Sequence, residues 1–293
     1  GVKPVAQENQ AVDIPWPMSM RWPLAMWRWM FAPAVEDFTP VAQQDPVVSR
    51  GAYLVEGLGH CGACHTPRAL TMQEKALSAT DGSTFLSGSA PLESWIAKNL
   101  RGDHKDGLGS WNEAQLVQFL KTGRSDRSAV FGGMSDVIVH SMQYMSEADL
   151  TAIARYLKSL PAVDSADKPH QYDPAVADAL WNGDDSKRGA AVYIDNCAAC
   201  HRTDGNGYTR VFPALAGNPV LQSDDPTSLI HIVLKGGTLP ATHTAPSTFT
   251  MPAFDWRLSD QEVADVVNFI RTSWGNQAGE VKATDVKGLR SDK

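Results

Sequence analysis

The sequence predicts a mainly α-helical protein in which two similar units stand in tandem behind an N-terminal Trp-rich strap. Three observations carry this. Two stretches with amphipathic helical spacing, SEADLTAIARYLKSL (146–160) and SDQEVADVVNFIRTSW (259–274), close what read as two units. A shared pattern opens each unit: RGAYLVEGLGHCGACH (50–65) parallels RGAAVYIDNCAACH (188–201). No convincing strand alternation intervenes.

In the first closing stretch Leu150, Ile153, Ala154 and Leu157 share one helical face, and in the second Val263, Val266, Val267 and Ile270 do. Ser146 and Ser259 stand at the N-cap positions with acids in the first turn, and SDQE is a capping box. The expected organisation is a strap over 1–40, a first unit over 41–161, a linker over 162–181, a second unit over 182–276 and a tail over 277–293. The linker PAVDSADKPHQYDPAVADA is rich in Pro, Asp and Ala.

Four cysteines are present, Cys61 and Cys64 in CGACH, Cys197 and Cys200 in CAACH. C-x-x-C-H is the attachment pattern of c-type haem. Two thiols on one turn can bond the two vinyl groups of one haem, and the next residue, His65 or His201, supplies the proximal iron ligand. The rivals fit less well. A tetrahedral zinc site built from both pairs leaves the two histidines unexplained. A thioredoxin-like C-x-x-C needs no histidine and expects a βαβ setting. Structural disulfides belong to far shorter chains. The expectation is therefore two covalently bound haem c groups, each wrapped by a small class I cytochrome c-like domain, with haem replacing much of the apolar core that so small a helical domain lacks.

Distal ligands are less sharply marked. In TMPAFDWRLSDQE, Met251 precedes Pro shortly before the closing helix and is the expected thioether ligand, with His243 and His231 as alternatives. In FGGMSDVIVHSMQYMSEADL the choice falls on Met134, after a Gly pair that lets a loop approach closely, over Met142 and His140. Met145 reads as a hydrophobic staple. His/Met ligation raises the potential and fills both axial positions, which points to electron transfer. The Pro213 carbonyl is placed to accept the Nδ1 proton of His201; Pro67 or a later loop is expected to do the same for His65. Arg68 and Arg210 are candidates for pairing with haem propionates.

The strap IPWPMSMRWPLAMWRWMFAP (14–33) holds four of the nine tryptophans. Four Pro and two Arg interrupt it, so it cannot span a bilayer, which takes roughly 20 apolar residues. Each Trp can bury about 150–250 Å², and the whole exceeds the ordinary apolar patch of about 300–600 Å² on a monomer. A covering surface is expected: the first haem unit, clamped by Trp22, Trp27 and Trp29, or a partner dehydrogenase or membrane interface.

With 43% hydrophobic and 20% charged residues and a net charge of −7, the chain lacks the basic stripe that nucleic acid requires. The N-terminus does not read as a secretory leader, so an exported protein would be present here in mature or trimmed form.

HCGACHTPRAL, the FGGMSDVI…SMQYMSEADLTAIARYLKSLP block and CAACHRTDGNGYTRVFPALAGNPVL resemble the cytochrome c subunit of bacterial membrane-bound dehydrogenases, over about residues 12–277. This resemblance implies a catalytic dehydrogenase subunit as partner, of quinoprotein, flavin or molybdenum type, oxidising an alcohol, aldehyde or sugar acid. It implies electron delivery to quinone, a downstream cytochrome or a terminal oxidase, and a periplasmic place on the cytoplasmic membrane. The family usually carries three C-x-x-C-H domains. This chain has two, so the expectation is that the first is missing. Two other functions compete: a free di-haem carrier of cytochrome c4 type, and a di-haem peroxidase-like or thiosulfate-oxidising enzyme. The first conflicts with the exposed aromatic strap, and the second needs an open or unusually ligated iron.

Overall fold

Packing is described from a computed structural model that covers every residue except 1, 2, 4, 5, 9, 10, 12, 18, 35, 36, 41–43, 292 and 293. The expected boundary at 41 and Met18 of the strap therefore lie outside the described residues. The chain divides into two units, 1–39 and 40–293.

Among the described residues the first unit holds one helix, α1 (Trp22–Phe31), with Pro23 in its first turn, where a missing N–H costs nothing. Trp27 meets Phe31 one turn later, ring centroids 5.7 Å apart. No residue of α1 is buried. Trp22 and Trp29 keep 65% and 84% of their surface exposed, and Trp16 keeps 79%.

The larger unit is mainly helical, and each half has its own core. The first half runs through α2 (Pro46–Ala52), continued by a wider π turn over Tyr53–Leu58, then α3 (Gly62–His65), α4 (Glu113–Thr122), α5 (Gly133–His140) and α6 (Glu147–Ser159). The second holds α7 (Ala175–Trp181), α8 (Ala190–Asn196), α9 (Ala198–His201), α10 (Pro219–Gln222), α11 (Thr227–Lys235), α12 (Asp260–Arg271) and α13 (Ala283–Ser291). The closing helices α6 and α12 start where the caps place them. Ser146 accepts from the Asp149 N–H, and Ser259 and Glu262 form the capping box. All eight apolar residues read as their inner faces are buried.

The repeated Arg-Gly-Ala is the shared joint. Arg50 pairs with Asp149 on α6, and Arg188 with Asp265 on α12, both at 2.8 Å. The glycine between Arg and Ala lets the opening helix touch the closing one. A Cβ on Gly51 would lie 2.1 Å from the Ala152 carbonyl oxygen, and one on Gly189, whose φ is +87°, 2.2 Å from that of Asp265.

Among the described residues two short antiparallel ladders are present: β1 (Pro91–Leu92) with β2 (Trp95–Ile96), and β3 (Gly237–Leu239) with β4 (Phe249–Met251), the latter pairing Gly237 with Met251. Strands of two or three residues are too brief for alternation to show in sequence, which is why none was expected.

The expected linker and tail are structured. Asp103 accepts from the N–H of Val163 and of Asp164. His170 bonds the Trp274 carbonyl. Leu180 of α7 joins the second core. Beyond 276, Val281 and Val286 are buried in that same core, and Arg290 of α13 pairs with Asp260.

The halves meet at a seam. Val130 and Ile138 of the first form a buried cluster with Leu239 of the second; Met134, Met142 and Phe249 pack on it. Trp95 stacks on Phe131 and meets His231 of α11 edge-on at 4.9 Å. The Ile96 N–H donates to Ser228 Oγ, and the His243 N–H to Gln143 Oε1.

Candidate functional site

Each C-x-x-C-H forms one helical turn. Cys61 precedes α3 and Cys197 precedes α9, so the second thiol and the histidine follow within the turn. All four thiols are free, although three are half-buried and Cys64 is exposed. Burial pushes the Cys61 thiol up to about 11 and that of Cys197 up to about 12, which keeps both protonated.

Both histidine rings are fixed in the same way. His65 Nδ1 lies 2.7 Å from the Lys98 carbonyl oxygen, and His201 Nδ1 lies 3.0 Å from that of Pro213. A carbonyl can only accept, so the proton sits on Nδ1. Burial lowers both imidazoles below the usual histidine pKa, against the pull of these carbonyls. The outcome is two neutral rings whose Nε2 lone pairs make no hydrogen bond and are available to a metal.

The turns around them are tied down by backbone. The Gly88 N–H bonds the His65 carbonyl and the Gly207 N–H that of His201. Arg68 donates to the carbonyls of Ala63 at 2.7 Å and Met72 at 2.6 Å. It braces the α3 turn with these two bonds while its side chain stays exposed. Arg210 is exposed and 4.0 Å from Asp126. Beneath the second turn, Tyr193, Phe269 and Trp274 form an aromatic cluster with centroids 5.1–5.7 Å apart. The Trp274 indole donates to the Thr203 carbonyl.

The methionine candidates border the cores. Met251 ends β4, half-buried against the second core. Met134, in the first turn of α5, packs on both the first core and the seam cluster, and Met142 does the same. Of the histidine alternatives, His243 meets the Tyr144 ring, His231 meets Trp95, and His140 is exposed. Among the described residues no three His, Cys, Asp or Glu side chains converge on a possible metal centre.

Paired free thiols, a histidine with its Nδ1 held by a backbone carbonyl, and thioethers at the core edge are a donor set of the kind that holds haem c.

A cytochrome c family model matches residues 186–274. The chain is 62% identical to the gluconate 2-dehydrogenase cytochrome c subunit of Pantoea cypripedii, over 100% of this chain and 67% of that protein. The chain belongs to the cytochrome c subunits of bacterial membrane-bound dehydrogenases. It is 56% identical to the cytochrome c subunit of the quinone alcohol dehydrogenase of Gluconacetobacter polyoxogenes, over 99% of this chain and 62% of that protein. It is also 34% identical to the fructose dehydrogenase cytochrome subunit of Gluconobacter japonicus, over 99% and 62% respectively. It thus spans about two thirds of the length of these relatives. Cytochrome c subunits of this family are electron-transfer subunits of dehydrogenase complexes, distinct from the subunit that converts substrate. Among the described residues, no helix is long and apolar enough to cross a membrane.

For His65 the later loop supplies the acceptor, at Lys98, thirty-three residues on, while the Pro67 carbonyl accepts from the Lys75 N–H; the sequence did not mark which residue of that loop it would be. A backbone acceptor carries no side-chain signal, so only folding reveals it.

Proposed function

We propose that this chain is a di-haem c-type cytochrome that takes electrons from a periplasmic dehydrogenase and passes them to quinone, a downstream cytochrome or a terminal oxidase. The observation that carries this reading is the matched pair of proximal sites, His65 on Lys98 O and His201 on Pro213 O.

Haem c, when bound, supplies a one-electron iron centre. The residues have distinct tasks. Cys61 and Cys64 would hold one haem by thioether bonds, and Cys197 and Cys200 the other. His65 and His201 would present Nε2 to iron, kept in register by the two carbonyls, which also raise ring basicity. Met134 and Met251 would close the distal sides and deny a free coordination place to substrate. Arg68 holds the α3 turn. The seam of Trp95, Phe131, His231 and the Val130 cluster keeps the halves, and with them the two sites, at fixed separation.

The strap supports a docked subunit over a freely diffusing carrier. Trp16, Trp22 and Trp29 expose too much apolar surface for a shuttle, and contact with the dehydrogenase or the membrane interface would cover it.

The test is mass spectrometry after acid–acetone extraction, with co-purification from native membranes. Two haem additions that survive extraction, and a dehydrogenase that comes with the chain, are expected. One addition, or bound zinc, overturns the di-haem reading. A chain recovered without any dehydrogenase favours the free carrier.

A further inference from the structure

The two halves are built on one plan, and a single position shows how they differ. A Cβ on Gly51 would lie 2.5 Å from Tyr156 Cβ on α6, and one on Gly189 would lie 2.9 Å from Phe269 Cβ on α12. Tyr156 and Phe269 also stand equally far along their helices from the capping Ser146 and Ser259. Both belong to the core on which the first cysteine of their own attachment turn packs, Cys61 or Cys197. They are therefore equivalent positions, and what separates them is one hydroxyl.

That hydroxyl has a partner. Tyr156 donates to Glu56 Oε1, and the same oxygen accepts from the Ala79 N–H at 3.0 Å. Burial, with Glu56 beside it, pushes the Tyr156 hydroxyl well above its usual pKa, so it stays a donor. Glu56 comes there because the stretch from Arg-Gly to the first cysteine is two residues longer in the first half. The π turn over Tyr53–Leu58 takes up the extra length and carries Glu56, half-buried, between α6 and the turn at Ala79. In the second half the place is aromatic: Phe269 packs with Tyr193 and Trp274. Counted back from the cysteine or forward from Arg-Gly, the residue matching Glu56 is Val192 or Ile194, and neither bears a charge. Asp195 is exposed, and Asp204 is paired with Arg202 at 2.8 Å.

Glu56 therefore sets a carboxylate beside one attachment turn and not beside the other. Among the described residues no Lys or Arg lies within ion-pair distance of it. Arg101 is near enough to act on Tyr156, but it donates to the Phe85 and Pro161 carbonyls and is balanced by Asp103. Two neutral donors fix the Glu56 carboxylate and leave its charge in place. We propose that Glu56, held by Tyr156, is a potential-setting residue of the haem on Cys61 and Cys64, with no counterpart at the other haem; the assignment rests on the di-haem reading above. Oxidation leaves the iron one positive charge richer. A fixed negative charge in a half-buried setting favours that state and lowers the potential. Matched cysteines and matched histidine carbonyls would otherwise give the two irons closely similar surroundings, and Glu56 separates them.

The test is spectroelectrochemistry of the haem-loaded chain with Glu56→Gln and Tyr156→Phe, beside thermal unfolding. Glu56→Gln keeps an oxygen that can accept from both Tyr156 and Ala79 and removes only the charge. One midpoint potential should rise, the other should hold, and the melting temperature should change little. Tyr156→Phe, which writes the second half's residue into the first, keeps the charge and removes the donor that tempers it. The same potential should then fall, with a lower melting temperature. Opposite shifts in the two variants are what a tuning charge produces; a merely structural tie, loosened either way, would move the potential in one direction or not at all. Two unchanged potentials in Glu56→Gln, or shifts of the same sign in both variants, overturn the proposal. Should Glu56→Gln not accumulate, a potential that fails to fall in Tyr156→Phe overturns it equally. Peptide mass mapping keeps the two readings apart: no covalent haem on Cys61 and Cys64 of the parent sinks the di-haem reading, whereas two haems with unmoved potentials sink this inference alone.

Discussion

Gly51 lies so close to Ala152 that a Cβ on the glycine would sit 2.1 Å from the alanine carbonyl oxygen and 2.5 Å from Tyr156 Cβ. The obstacle is backbone, which cannot step aside. Gly51→Ala should therefore cost at least the roughly 1–3 kcal/mol of an overpacked core. Gly189→Ala should cost as much, with about 1 kcal/mol more for its left-handed φ. Thermal or guanidinium unfolding reads both. Variants as stable as the parent would show that the helix pairs can separate without loss.

Asp103 predicts an acid-sensitive anchor. Burial pushes its pKa up, but the N–H groups of Asp164 and Val163 and the Asn99 amide outweigh this, so the folded value lies below the usual carboxylate range. A depressed folded pKa gives stability that is present above the unfolded value of about 3.9 and lost as pH falls through the folded one. Asp103→Ala should lose about 1–3 kcal/mol at neutral pH, since it strands two backbone donors. Its melting temperature should also fall less steeply below about pH 4 than that of the parent. Parallel curves from pH 7 to 3 would contradict the role given to Asp103.

Met251 and Met134 predict a separable spectroscopic signature. Ferric His/Met haem shows a weak far-red band that disappears with the thioether. Met251→Ala and Met134→Ala should each remove one haem's share of it and lower one potential. The Met142→Ala variant should keep the band, and its loss there would move the first distal assignment from Met134 to Met142.

Trp22 and Trp29 are mostly exposed. Replacing both by Ser should leave the melting temperature nearly unchanged, since exposed positions usually matter by less than about 0.5 kcal/mol. Recovery of the chain with membranes or with dehydrogenase should drop several-fold. Unchanged recovery would remove the strap from the docking surface.

Much of this protein can be read from local pattern. The closing helices, their Ser caps and buried faces, the two C-x-x-C-H turns and the Arg-Gly-Ala repeat depend on residues a few positions apart, whose periodicity and capping chemistry act through the chain itself. Pro213 was within reach too, because its carbonyl lies in the loop that directly follows His201. Tertiary structure alone decided the rest. Lys98 serves His65 through a backbone oxygen, which any residue could offer. Arg124, unremarkable in sequence, became the buried cation of the seam. The tail became part of the second core once Val281 and Val286 found it. The physical reason is common to all three. Burial and hydrogen-bond satisfaction depend on which distant segments pack together, and a charge, a carbonyl or a valine acquires its role only after that packing has removed its access to water.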